Sequence, residues 1–376
     1  MMDCEKITKY LNSLLDRGIP SVDCMIYENH KILYRHMNGK TDAAKVVDVS
    51  ADTDYLMYSM SKVQTMVAIM QLVEKGKVSL DDEVAKYLPA YKKLKVKTAN
   101  NTVVPLATPM LIKHLVSMQS GLDYDLKRPG ILKVLDEVGQ KATTRQIVDS
   151  FALTPLEFVP GETFLYSLSH DVVAAIVEVV ADMSFGEYMK KNIWEPMGMG
   201  RTRFAKPDNR NVKSLAQQYI IDAKGKTVPI EQTCEYQLSE RYESGGAGLI
   251  SCTEDFAKFG DVLASGGITA DGKVILNKET IEIMKTNLLG ESGLKVLNYE
   301  MKKIGYGYGC GVMVFRDPEF AKSKAPKGIF GWDGAAGSCL IMDTVTKRSL
   351  VYIQHVKNCD MSYSEIHPKL RDMLFE

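Results

Sequence analysis

Strand-like patterns stand near both ends of this chain and helical patterns fill its middle, which predicts one sheet completed by distant parts of the sequence. Residues 5–17 carry apolar positions at helical spacing and stop at Gly18. Residues 21–27 and 31–34 flank a turn at Glu28-Asn29-His30 and read as a β-hairpin. Helical patterns follow at 109–118, 144–151, 169–181, 185–193 and 253–265. The most apolar helix, 62–75, carries Val63, Met66, Val67, Ile69, Met70, Leu72 and Val73 and closes at Gly76. It is predicted to be buried nearly all round. Beyond residue 272 the texture changes. Residues 305–315 alternate glycine with larger residues at period two and read as one close-packed strand. Residues 338–343 and 349–356 are strand-like, and a last helix is expected around 364–375. At 376 residues the chain can bury a large core. The reading is a single unit over 1–376, sheet-containing over 1–60 and 270–376 and mainly helical over 61–269.

Composition narrows the partners. Lys plus Arg equals Asp plus Glu at 47 each, so no global field draws nucleic acid or an anionic membrane, and a small-molecule substrate is expected. The first residues lack the basic start and apolar stretch of a signal peptide. The best apolar window, 172–180, is far short of the roughly 18 residues of a membrane span. Seven cysteines, scattered and without a C-x-x-C pair, fit reduced thiols in a cytoplasmic protein. The six histidines form no H-E-x-x-H, so no metal is expected, and the glycines at 305–311 do not fit G-x-G-x-x-G, so no nucleotide cofactor is expected either.

The chemistry points to Tyr58-Ser59-Met60-Ser61-Lys62. A Ser and a Lys at i and i+3 project from one helix face, close enough for the amine to take the hydroxyl proton. Ser59 would stand at the helix N-terminus, where free N–H groups favour developing negative charge. Lys62, in an apolar helix, would have its pKa lowered by burial. By itself the pair could equally be a capping Ser and a snorkelling Lys. The spacing recurs at Ser292-Gly293-Leu294-Lys295, but in a glycine-containing stretch read as a loop with no apolar helix behind it.

The surroundings decide between these readings. The run from Tyr55-Leu56-Met57-Tyr58-Ser59 through Gly76-Lys77-Val78 to Tyr87-Leu88-Pro89 resembles the nucleophile region of class C β-lactamase-type serine hydrolases. Ser120-Gly121-Leu122, Pro160-Gly161-Glu162-Thr163-Phe164-Leu165-Tyr166-Ser167, Glu195-Pro196-Met197-Gly198-Met199 and Ser244-Gly245-Gly246-Ala247-Gly248-Leu249 extend the likeness in the same order. The family includes β-lactamases, D-amino-acid peptidases, and carboxylesterases or acyltransferases of the lovastatin-processing type. The resemblance implies an α/β (α+β) fold, β-lactamase/transpeptidase-like: a mostly antiparallel sheet flanked by helices, plus an all-helical domain, with the active site between them.

It also implies roles for further residues. Tyr166 takes the place of the family's Tyr-x-Asn tyrosine as proton-transfer partner, and Leu168 replaces the Asn. Trp332-Asp333-Gly334 stands where the family has Lys-Thr-Gly or His-x-Gly and resembles the Trp-x-Gly of esterase-like members. By that correspondence the Ser59 and Ala335 N–H groups form an oxyanion hole, and Leu168, Trp332, Asp333 and Gly334 meet the substrate. His170-Asp171 follow Tyr166 closely, but G-x-S-x-G is absent, so Ser169 to Asp171 read as a helix start rather than part of a triad. The expectation is ester hydrolysis through an acyl-enzyme on Ser59. The alternatives are a β-lactamase or D-amino-acid peptidase with the same nucleophile, or a non-catalytic ligand-binding descendant. Pocket walls are expected from 92–108, 125–143 and 205–243.

Overall fold

A computed structural model describes residues 2–209 and 213–376. The first helix, α1 (Cys4–Asp16), is capped by the Asp3 carboxylate and lays Ile7, Tyr10, Leu11 and Leu14 on one face of the sheet. The hairpin follows as β1 (Ser21–Glu28) and β2 (Lys31–Gly39). Five C-terminal strands complete the sheet: β3 (Tyr306–Tyr308), β4 (Met313–Phe315), β5 (Phe330–Asp333), β6 (Cys339–Asp343) and β7 (Arg348–Ile353). Their order is β3-β4-β5-β6-β7-β1-β2, antiparallel throughout, so the last strand pairs with the first. The sheet predicted from two distant stretches is present, and the mixed helix and antiparallel-sheet class is as expected.

Two readings need correction. Residues 305–315 are not one strand but the hairpin β3–β4, turned at 309–312 where the Gly309 N–H donates to the Val312 carbonyl and Gly311 adopts φ +68°. Period-two glycines serve a tight hairpin as well as a packed strand, and the turn lies inside the repeat. Ser292 to Lys295 lie not in a loop but on a short helix, Glu291–Lys295, whose Ser292 and Lys295 are both exposed. The last helix also begins earlier than expected, as a π-turn over Ser362–Ile366 that runs into His367–Leu374.

The apolar helix α2 (Ser61–Glu74) is buried from Ser61 to Leu72, and it packs against α3 (Ser169–Ala181) and the β5 strand. Residues 61–269 also hold strands of two or three residues, too short to show an alternating pattern. Leu249–Ser251 pairs with Tyr55–Leu56 on one side and Arg203–Phe204 on the other. Tyr219–Ile221 pairs in parallel with Val356–Lys357. The helix Thr253–Ala264, read as part of the helical region, lies against β1, β6 and β7. Among the described residues no helix is long and apolar enough to cross a membrane, and no group of three His, Cys, Asp or Glu side chains is placed to hold a metal ion.

Candidate active site

Ser59 lies in a 3-10 turn, Tyr58–Met60, that runs directly into α2. The turn is braced on both sides by Leu249: its carbonyl accepts from the Met57 N–H at 2.9 Å, and its N–H donates to Ser61 Oγ at 3.2 Å. Tyr58 adopts φ +47°, a left-handed conformation that costs a non-glycine residue on the order of 1–3 kcal/mol. Burial of its ring and the hydrogen bond from its hydroxyl to Gln218 Oε1 hold it there. The result presents Ser59 at the first turn of a helix, where backbone N–H groups have no intrahelical acceptor.

One turn on, Lys62 is fully buried. Its Nζ lies 3.2 Å from Ser59 Oγ, 3.0 Å from the Tyr124 hydroxyl and 2.8 Å from the Gly246 carbonyl oxygen. All three partners are neutral. Burial lowers its pKa to about 7, against the opposing pull of the Asp171 and Asp333 charges. A neutral Lys62 can donate to Tyr124 and Gly246 and turn its lone pair to the Ser59 hydroxyl.

Tyr166 completes the cluster. Its hydroxyl accepts from the Trp332 indole N–H at 3.0 Å, and it lines the same cavity as Ser59. Its ring stacks on Tyr124 at 5.5 Å and lies 4.6 Å from Lys62 Nζ. Burial holds the phenol well above its ordinary pKa, with Ser59 and Trp332 opposing. Of the two candidate bases, only Lys62 is therefore deprotonated in part near neutrality.

The end of β5 brings the Trp332-Asp333-Gly334 segment beside the nucleophile. A Cβ on Gly334 would lie 2.7 Å from the Met57 carbonyl oxygen, so glycine allows this strand end to abut the Ser59 turn. Ala335, next in sequence, makes no backbone hydrogen bond through its N–H among the described residues. It lines, with Ser59, Tyr166, Trp332 and Asp333, a cavity of about 570 Å³. Asp333 is not a free charge: its carboxylate is bonded to Lys303 and faces His367. Burial pushes its pKa up, but Lys303 and His367 overcome this and hold it at about 2.

Leu168 departs from its expected place. It is 1% exposed, packed in the main core at the start of α3, and does not line the cavity. An apolar side chain gains more there than in a wet cleft. The walls also differ from expectation, since the remaining lining residues come from 300–303, Asp360, Tyr363 and Ser364. Among the described residues none of the expected stretches 92–108, 125–143 and 205–243 lines this cavity; Tyr236 meets the Tyr124 ring edge-on at 5.7 Å without lining it, and residues 210–212 lie outside the described ones.

Several site residues carry no sequence signal of their own, Tyr124 foremost. Asp171, read only as a helix start, is fully buried and accepts from Tyr242 at 2.7 Å and Ser244 at 2.6 Å. Burial raises its carboxyl, while those bonds and the Lys62 charge oppose the rise. A Cβ on Gly246 would lie 2.7 Å from the Asp171 carboxylate and 3.4 Å from Lys62 Nζ, so the Gly245-Gly246 pair is where backbone replaces side chain behind the lysine.

With that geometry in place, the comparisons are direct. The sequence profile of the family described as Beta-lactamase matches residues 6–360. The chain belongs to the β-lactamase family. Among its relatives, Protein Rv1367c of Mycobacterium tuberculosis is 27% identical, covering 92% of this chain and 88% of the relative. The structure described as "EstCE1, a hydrolase with promiscuous acyltransferase activity" superposes with a TM-score of 0.82 at 24% identity, over 99% of this chain and 98% of the other. Simvastatin synthase LovD from Aspergillus terreus gives 0.81 at 18% identity, over 100% and 98%. At such identities these two show a shared β-lactamase/transpeptidase fold.

One pH dependence follows for this family member. If Lys62 must be neutral to accept the Ser59 proton, kcat/KM rises with pH through about 7 and levels off above it, because the ammonium form predominates below. A rate profile between pH 5 and 9 on a neutral ester checks this. A flat profile, or one that falls through pH 7, assigns the proton transfer to another group.

Proposed function

We propose that this protein hydrolyses small carboxylic esters through an acyl-enzyme on Ser59. The observation that carries the reading is the contact of a buried, half-neutral Lys62 with Ser59, in a cavity that Ser59 shares with a phenol held by Trp332. In acylation the Ser59 proton moves to Lys62 and Oγ bonds to the ester carbon. The carbonyl π pair moves onto oxygen, facing the Ser59 and Ala335 N–H groups, each worth about 3 kcal/mol of barrier. Collapse restores the carbonyl and breaks the bond to the alcohol oxygen, which leaves with the proton that Lys62 and Tyr166 carry between them. Water repeats the sequence, its proton returning to Ser59 as the acid departs.

The cavity supports esters over β-lactams. Trp332 has one N–H donor, already given to Tyr166, and no charge. Lys303 is the buried cation nearby, but Asp333 neutralises it. Glu300 and Asp360, both exposed, add negative charge at the wall. Lys302, exposed at the same wall, could meet a substrate carboxylate only in water and beside those two acids, where an ion pair gains little. Deeper in, at Trp332, a carboxylate would lose hydration without a partner, a penalty on the order of a few kcal/mol. We expect measurable turnover of short p-nitrophenyl esters and little of cephalosporins or D-alanyl peptides, measured side by side on one panel. Efficient nitrocefin turnover with negligible ester activity would overturn the ester preference and favour the β-lactamase reading. The substrate is read as a small molecule, without nucleic acid or membrane as partner. The seven cysteines, six of them buried, form no disulfide among the described residues, which supports a cytoplasmic setting.

A further inference from the structure

The loop after β5 is held by the C-terminal segment, whose Tyr363 and Ser364 also line the cavity. The Tyr363 hydroxyl donates to the Gly334 carbonyl oxygen at 2.9 Å, and the Gly337 N–H donates to the same oxygen at 2.9 Å. The His367 ring bonds the Gly337 carbonyl at 3.0 Å through Nε2. Gly337 adopts φ +82°, and a Cβ there would lie 2.7 Å from Ser362 Oγ, so the loop sits tight against the helix that carries Tyr363. Lys303, bonded to Asp333 one residue before Gly334, places its ammonium 5.0 Å from the Tyr363 ring.

The Gly334 carbonyl and the Ala335 N–H belong to one planar peptide unit. No peptide bond among the described residues is cis, so the two groups point in opposite directions. Whatever fixes the carbonyl fixes the N–H. We propose that Tyr363 is a positioning residue: by bonding the Gly334 carbonyl it locks that peptide plane so that the Ala335 N–H faces the cavity shared with Ser59. This rests on the Ser59 reading above and adds to it a device drawn from the last turns of the chain. The hydroxyl stabilises no substrate atom itself. It acts by removing the freedom of a donor that would otherwise have to reorient as the oxyanion forms, and preorganised donors are the ones that lower barriers.

Tyr363→Phe tests this, because it removes the hydroxyl and keeps the ring against Lys303 and His367. Active-site titration with a fluorophosphonate counts the folded, competent fraction, so misfolding does not mimic the effect. Per competent site, kcat/KM for p-nitrophenyl acetate should fall about tenfold. That is less than the roughly 10²–10³-fold loss from deleting an oxyanion donor outright, because the Gly337 N–H still holds the carbonyl. The affinity of a boronic acid, which forms a tetrahedral adduct with the nucleophile, should fall by the same factor. Inhibition by an uncharged ether analogue of the ester, which has no oxyanion, should be unchanged. Equal weakening of boronate and ether would make Tyr363 a substrate contact, and unchanged boronate affinity would overturn the proposal. Ser59→Ala measured in parallel separates the two claims. Full turnover there sinks the Ser59 reading, whereas a dead Ser59→Ala beside an unaffected Tyr363→Phe sinks only the positioning role.

Discussion

Ser59→Ala is expected to lower kcat by on the order of 10⁴–10⁶-fold while the protein stays folded. On the proposed mechanism the size follows from the loss of the attacking oxygen, which Lys62 bonds directly while Tyr124 bonds that same amine. The stability cost is small for a different reason. Ser59 contributes one short side chain at the edge of a cavity, and its loss removes hydrogen bonds worth about 1 kcal/mol each. In a chain of this length that moves Tm by only a few degrees. Activity and thermal melting measured on the same preparation check both halves. A variant that retains more than a hundredth of its turnover would show that another group attacks.

The second large effect is the coupling of Lys62 and Tyr166. Lys62→Met and Tyr166→Phe should each lower kcat by about 10²–10⁴-fold, and the double variant should lose little more than the worse single one. On the proposed mechanism both side chains serve one proton path to and from Ser59, so once that path is broken a second break has little left to remove. Methionine is chosen because it nearly conserves the volume of a lysine with no exposed surface, and it removes an amine whose three partners are all neutral. The variant's Tm should therefore change by only a few degrees, the relief of a buried amine offsetting the three lost bonds. Independent, multiplicative losses would instead make Tyr166 a wall of the cavity that takes no part in proton transfer. The comparison needs three variants and the parent, assayed on one ester.

How much of this could be read from the sequence depends on the range of each interaction. Ser59 and Lys62 are one helical turn apart, so spacing and the apolar run behind them place the pair before any tertiary contact is known. Tyr166 has no such local signature and came from its place in a family pattern. The sheet was legible because both strand-rich ends carry their own periodicity, though the turn inside 305–315 was hidden by glycines that repeat at the strand period. The remainder of the site is assembled from residues far apart. Gly246 lies 184 positions from the lysine it meets, and Tyr124 lies 62 away. Tyr363 reaches Gly334 across a strand pair and a turn. No window of sequence contains both members of these contacts. Leu168 shows the opposite failure: its position in the motif suggested the cavity, but an apolar side chain at a helix start turned into the core. Asp333 was legible as a charge near the site, while its neutralisation by Lys303, 30 residues earlier, was not.

The central claim is that Ser59 is the attacking atom. Peptide mapping by mass spectrometry after reaction with a fluorophosphonate tests it most directly. The account predicts one adduct per chain, on the peptide containing Ser59, absent from Ser59→Ala. An adduct on the peptide of Ser292 or Ser167, with Ser59 unmodified in an enzyme that has lost its activity, would contradict it.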